Sequence, residues 1–128
     1  MKTEVGLWID HRAATIVTLT GEAEDVKHIA SGMEKHVRFS GDAEKSTSED
    51  NRDRRFTNHL KLFFEEVINA IRAADSILII GPGEAKGELA KRLETENLGG
   101  RVIGVETADK LTDPQIAARV RERFTNRI

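Results

Sequence analysis

Apolar and polar positions alternate along the first thirty residues and recur at helical spacing along much of the rest. In residues 4–10, EVGLWID, Val5, Leu7 and Ile9 fall on one face and Gly6 and Trp8 on the other. A short run with apolar residues on both faces predicts a central strand covered from both sides, with Trp8 in the core. Residues 14–20, ATIVTLT, are β-branched and alternating, and the short link His11-Arg12-Ala13 predicts a hairpin between the two strands. After Gly21 a weaker strand over about residues 25–30 carries Lys27 and His28, charges that suit a sheet edge.

From residue 31 to about 53 the periodicity vanishes into polar, turn-forming residues, which predicts a long surface loop. A helix follows. Phe56, Leu60, Phe63, Phe64, Val67, Ile68 and Ile71 recur at spacings of three and four and end near Ala74-Asp75. SILIIG, residues 76–81, reads as a fully buried strand. The next helix sets Ala85, Leu89 and Leu93 on one face and stops at residues 97–100, NLGG. RVIGVE, residues 101–106, reads as a second buried strand. The last helix opens on a capping box from Thr112 to Gln115, with Pro114 in its first turn and Leu111 and Ile116 placed as a hydrophobic staple. Ile116, Val120 and Phe124 form its core stripe.

The order β-β-β, loop, α-β-α-β-α implies a mixed five-stranded sheet with helices on both faces. Right-handed crossovers set the fourth strand parallel to the first and give the strand order 3-2-1-4-5. That arrangement is an α/β, three-layer, ribonuclease H-like fold. With no repeat and no linker, residues 1–128 read as one domain with a polar loop at about 31–53.

Composition narrows the function classes. A formal net charge of −2 means that a nucleic-acid surface has to come from local clustering. The chain contains no cysteine, which excludes disulfides, thiolate metal sites and a cysteine nucleophile. The N-terminus reaches Asp10 too soon for a signal peptide, and no apolar run is long enough to span a membrane, so a cytoplasmic location is expected.

Three stretches bear on chemistry. GPGEAKGE, residues 81–88, lacks both phosphate-binding spacings: Lys86 precedes Gly87, Glu88 stands where a P-loop needs a hydroxyl, and a dinucleotide fingerprint needs glycine at Lys86. Glu84 in the first helical turn complements the dipole and repels phosphate. The stretch reads as a tight strand-to-helix turn set by Pro82 and Gly83. A contact of Lys86 and open amides with an RNA phosphate is the alternative.

At the carboxyl edge of the sheet, Asp10, His11, Glu84 and Glu106 are expected to gather. Asp10, Glu84 and Glu106 are the metal ligands of an alternative reading, a divalent-cation phosphodiesterase. Such a site wants an acidic residue where this chain has Gly81, and the preferred role of Asp10 and His11 is to shape the hairpin turn. His28, His36 and His59 lack ligand spacing and read as surface residues. Basic residues flank the loop, with Lys35, His36 and Arg38 before it and Arg52, Arg54 and Arg55 after it. Arg119, Arg121, Arg123 and Arg127 line the last helix among acidic neighbours, the pattern of a solvated mixed-charge face.

GLWIDHRAATIVTL, RRFTNHLKLFFEEVINAIRAADSI and above all ILIIGPGEAKGELAKRL resemble the middle domain of the archaeal and eukaryotic release factor and of its ribosome-rescue paralogue Pelota. Short bacterial proteins described as translational machinery components are similar too. The resemblance runs from about residue 5 to 124. Release factors carry Gly-Gly-Gln before the long helix, where this chain has HVRFSGDAEKSTSEDNRDRR, so release of peptide from tRNA is not implied. Pelota lacks the tripeptide as well. The resemblance implies a non-catalytic module associated with the ribosome or structured RNA, needing no cofactor, and it gives the basic loop flanks and Lys86 the RNA-contacting role. A protein-interaction module that self-associates through the loop or a strand edge is the third reading.

Overall fold

The structure is a computed structural model that describes residues 2–31 and 49–125, the side chains of 49–57 excepted. Lys35, His36, Arg38, Arg127 and the side chains of Arg52, Arg54, Arg55 and Phe56 lie outside it. Strands β1 (Thr3–Ile9), β2 (Ala13–Thr20) and β3 (Ala23–Ala30) are followed by helix α1 (Glu49–Ile71), strand β4 (Ser76–Gly81), helix α2 (Ala85–Thr95), strand β5 (Val102–Thr107) and helix α3 (Asp113–Thr125). They form a five-stranded sheet in the order β3-β2-β1-β4-β5, as the sequence predicts. β1 runs antiparallel to β2 with Leu7 opposite Ile16, and parallel to β4 with Leu7 opposite Ile79.

Strand alternation divides the core into two layers. Val5, Leu7, Ile9, Ile77 and Ile79 point to the face covered by α1 and α2, where they meet Phe63, Phe64, Val67, Leu89 and Leu93. Trp8, Leu78 and Ile80 point to the other face, where they pack with Ile116, Val120 and Phe124 of α3. Gly6 explains how closely α3 lies. A Cβ there would overlap the Val120 side chain, so β1 can be central only with glycine at the crossing.

Helix ends follow the sequence signals. Thr112 and Gln115 form the reciprocal capping box, the Thr112 amide donating to Gln115 Oε1 (2.9 Å) and the Gln115 amide to Thr112 Oγ1 (3.3 Å). Leu111 and Ile116 meet in one cluster, completing the staple. α2 ends in a Schellman motif: Asn97 takes φ 64°, the Leu98 amide donates to the Leu93 carbonyl (2.8 Å), and the Asn97 amide donates to that of Glu94 (3.0 Å).

Three expectations need correction. α1 begins at Glu49, inside the stretch read as loop. Its first two turns carry no apolar residue, so periodicity cannot register them, while Glu49 and Asp50 favour the positive end of a helix. β3 starts at Ala23, two residues before the predicted strand. β5 is an edge strand with Val105 44% exposed, where a buried strand was expected. Apolar composition does not tell a central strand from an edge strand that one helix covers incompletely. Among the described residues no helix is long and apolar enough to cross a membrane.

Candidate functional site

The carboxyl ends of β1, β4 and β5 lie along one edge of the sheet, where open α/β folds bind ligands. Asp10 follows β1 directly. Its Oδ1 accepts the amides of Arg12 (2.8 Å) and Ala13 (2.9 Å), and its own amide donates to the Ala13 carbonyl (3.1 Å). This is an Asx-stabilised turn, the structural role expected of Asp10. His11 does something that local sequence does not reveal: its Nε2 lies 2.9 Å from Oε1 of Glu88 and ties the hairpin to the first turn of α2. The two residues stand 77 positions apart, so only the tertiary fold pairs them.

β4 enters its turn through Gly81. A Cβ there would overlap the Ile9 carbonyl oxygen. Gly83 then adopts φ 59°, a left-handed conformation that a side chain disfavours. Lys86 reaches back so that Nζ donates to the Gly83 carbonyl, and Glu84 makes no side-chain cap hydrogen bond at the start of α2. The GPGE stretch is thus built as a strand-to-helix turn. Lys86, half-buried, is engaged within it.

Glu106 on β5 points to the α3 face, where Arg123 Nε binds its Oε2 (2.5 Å) and Arg119 Nη1 lies 3.9 Å from its Oε1. Asp10, Glu84 and Glu106 therefore do not converge, and no group of three histidine or acidic side chains able to hold a metal ion exists among the described residues. The metal-dependent reading has no assembled ligand set here. Asp10→Asn keeps the amide-accepting oxygen, so it should leave the melting temperature nearly unchanged. Asp10→Ala should lose about 1–2 kcal/mol in urea unfolding. Equal losses for both would contradict the turn role.

Several other cations are tied into the fold. Arg121 pairs with Glu24 of β3 (2.6 Å), Arg72 with Glu96 (3.0 Å), and Arg101 donates to the carbonyls of Arg72 (2.8 Å) and Ala74 (3.1 Å). Arg92 covers the Phe64 ring and Lys110 the Trp8 ring, whose Nε1 donates to the Asp109 carbonyl. His28, exposed as expected, pairs with Asp113 (2.7 Å). The arginines of α3 thus join helix to sheet.

No protein-family model matches the chain, and no curated protein matches it. Among solved structures, the Pelota protein of Thermoplasma acidophilum superposes on 98% of this chain with a TM-score of 0.61 and 21% identity, using 32% of its own length. The fold is Pelota-like. Pelota of Archaeoglobus fulgidus gives a TM-score of 0.60 at 15% identity over 98% of this chain and 32% of its own. The archaeal translation termination factor aRF1 gives 0.50 at 16% identity over 96% of this chain and 40% of its own. The chain spans about a third of the length of the Pelota structures it matches, and at these identities the likeness is one of fold.

Proposed function

We propose that this Pelota-like domain is a ribosome- or structured-RNA-associated module of the termination and rescue type, acting in the cytoplasm without peptidyl-tRNA hydrolysis. The observation that carries the proposal is the fold likeness to Pelota over 98% of the chain. The sequence adds that no Gly-Gly-Gln stands between β3 and α1. Most of the described arginines are held by internal partners, so the RNA contact is assigned to the basic residues around the loop, Lys35, His36, Arg38, Arg52, Arg54 and Arg55, with Lys86 at the edge of the sheet, which would exchange its bond to the Gly83 carbonyl for a phosphate. Arg52, Arg54 and Arg55 occupy the opening turns of α1.

Phosphate contacts make binding fall with salt, by about 0.7–0.9 in the log–log slope per contact. The triple variant Arg52→Ala, Arg54→Ala, Arg55→Ala should weaken sedimentation with ribosomes and flatten its salt dependence by up to three contacts' worth, about 2–2.7 in slope. Binding and slope identical to those of the unaltered protein would remove these arginines from the interface.

A further inference from the structure

The two open edges of the sheet differ. β3 exposes Glu24, Asp25, Lys27 and His28, and two of them are held by residues of α3, so this edge is blunted by charge. Both edges carry one exposed valine, Val26 on β3 (38%) and Val105 on β5 (44%), but β5 is shorter and its Val105 is not flanked on both sides by charged residues. A hollow of about 340 Å³ opens between Val105 and α2, with Gly87 in its wall and Glu84 and Lys91 at its rim. Gly87 lies inside a helix, where glycine costs up to about 1 kcal/mol relative to alanine. A Cβ there would meet nothing within 4 Å, so the isolated fold gains nothing from this glycine.

Backbone direction can be read from the ladder. The Ala108 amide donates to the Gly81 carbonyl (3.1 Å), and Gly81 stands opposite Thr107. In a parallel ladder this turns the backbone groups of residues 104, 106 and 108 toward β4 and those of Val105 and Thr107 outward. Between Ile77 and Leu78 the register shifts, and Ile103 is the unpaired residue of the resulting bulge.

We propose that β5 pairs antiparallel with β5 of a second copy of this chain, about a two-fold axis through Val105, joining the two sheets edge to edge. An axis that reverses and exchanges two neighbouring strands stands perpendicular to the sheet, so it must pass through a residue paired with itself. Centring on Glu106 sets two carboxylates opposite each other. Centring on Gly104 sets Ile103 against Val105, residues that the bulge sends to opposite faces.

Centring on Val105 lets the two valines exchange both backbone hydrogen bonds. It also places the partner's Glu106 opposite Gly104, where the Arg123 guanidinium lies 3.0 Å from the position a Cβ would take. Each Arg123 then meets a carboxylate from each copy. On the other face the two α2 helices run antiparallel across the axis, with Gly87 near its centre and the exposed Glu84 of one copy toward Lys91 of the other. The bulge ends the ladder at residues 104–106, so association depends on concentration.

Sedimentation velocity across a concentration series tests the inference. The unaltered protein should move from monomer to dimer, and Val105→Lys should stay monomeric with an unchanged far-ultraviolet spectrum. The chain lacks cysteine, which allows a positional test with single introduced thiols. A hydrogen-bonded antiparallel pair sets its Cα atoms about 5.5 Å apart, within disulfide reach. Val105→Cys should therefore cross-link on oxidation, whereas Val26→Cys on the β3 edge should not. A monomer at every concentration, a dimer that persists in Val105→Lys, or equal cross-linking at both edges would each overturn the proposal.

Discussion

Truncating Phe64 to alanine should remove about 3–5 kcal/mol of folding free energy. Phe64 is fully buried on the α1 face of the sheet. Its ring lies 5.6 Å from that of Phe63 at an interplanar angle of 43°, and the Arg92 guanidinium sits 5.1 Å above it. Alanine would leave a cavity between α1 and α2 and strand the Arg92 charge without its aromatic face. A loss of this size is a large part of the stability of a domain of this length. Urea unfolding at equilibrium measures it, with Leu62→Ala as the surface control. Leu62 is 62% exposed on the same helix and should change stability by less than about 0.5 kcal/mol. A loss below about 1 kcal/mol for Phe64→Ala would mean that α1 does not pack as described.

The second large effect is at Gly81. Gly81→Ala should destabilise the domain by about 1–3 kcal/mol, because the new methyl overlaps the Ile9 carbonyl and the buried ends of β4 and β1 must part. Gly81→Asp should exceed that loss, since it adds a carboxylate to the same crowded position. This bears on function as well as stability. A metal-dependent nuclease on this fold would place an acidic ligand at the end of β4, and here the approach of two strand backbones leaves no room for one. If Gly81→Asp folded with undiminished stability, the steric part of that argument would fail.

Which parts of the molecule could be read from the chain follows the range of the interactions. The two faces of β1, the capping box at Thr112 and the stop at Asn97 arise from residues within a few positions of one another, and the strand order follows from the element sequence and the handedness of crossovers. Gly81-Pro82-Gly83 belongs with them, because failing both phosphate-loop spacings already marked it as a turn. The opening turns of α1 were hidden because they are polar all round. The exposure of β5 was hidden because its composition matches that of a covered strand.

At the sheet edge, Asp10 was legible as a turn former through its neighbours. The His11–Glu88 tie and the Glu106–Arg123 pair were not legible, as each joins elements whose approach is decided by the whole sheet. Nor does local sequence distinguish Gly87, which looks like an ordinary helix glycine until the open space beside it is seen. The arginines of α3 illustrate the same point. Charge spacing identified a mixed-charge face, and only the fold shows that Arg121 and Arg123 reach across to acidic residues on β3 and β5.

The measurement that bears most directly on the central claim is sedimentation of the purified domain with purified ribosomes, at low salt and then at increasing salt. Association is expected at low salt and should weaken steeply as salt rises, without hydrolysis of peptidyl-tRNA in the same mixtures. Absence of the domain from the ribosomal pellet at the lowest salt would rule out ribosome association, and peptide release above the rate without it would rule out a non-hydrolytic role.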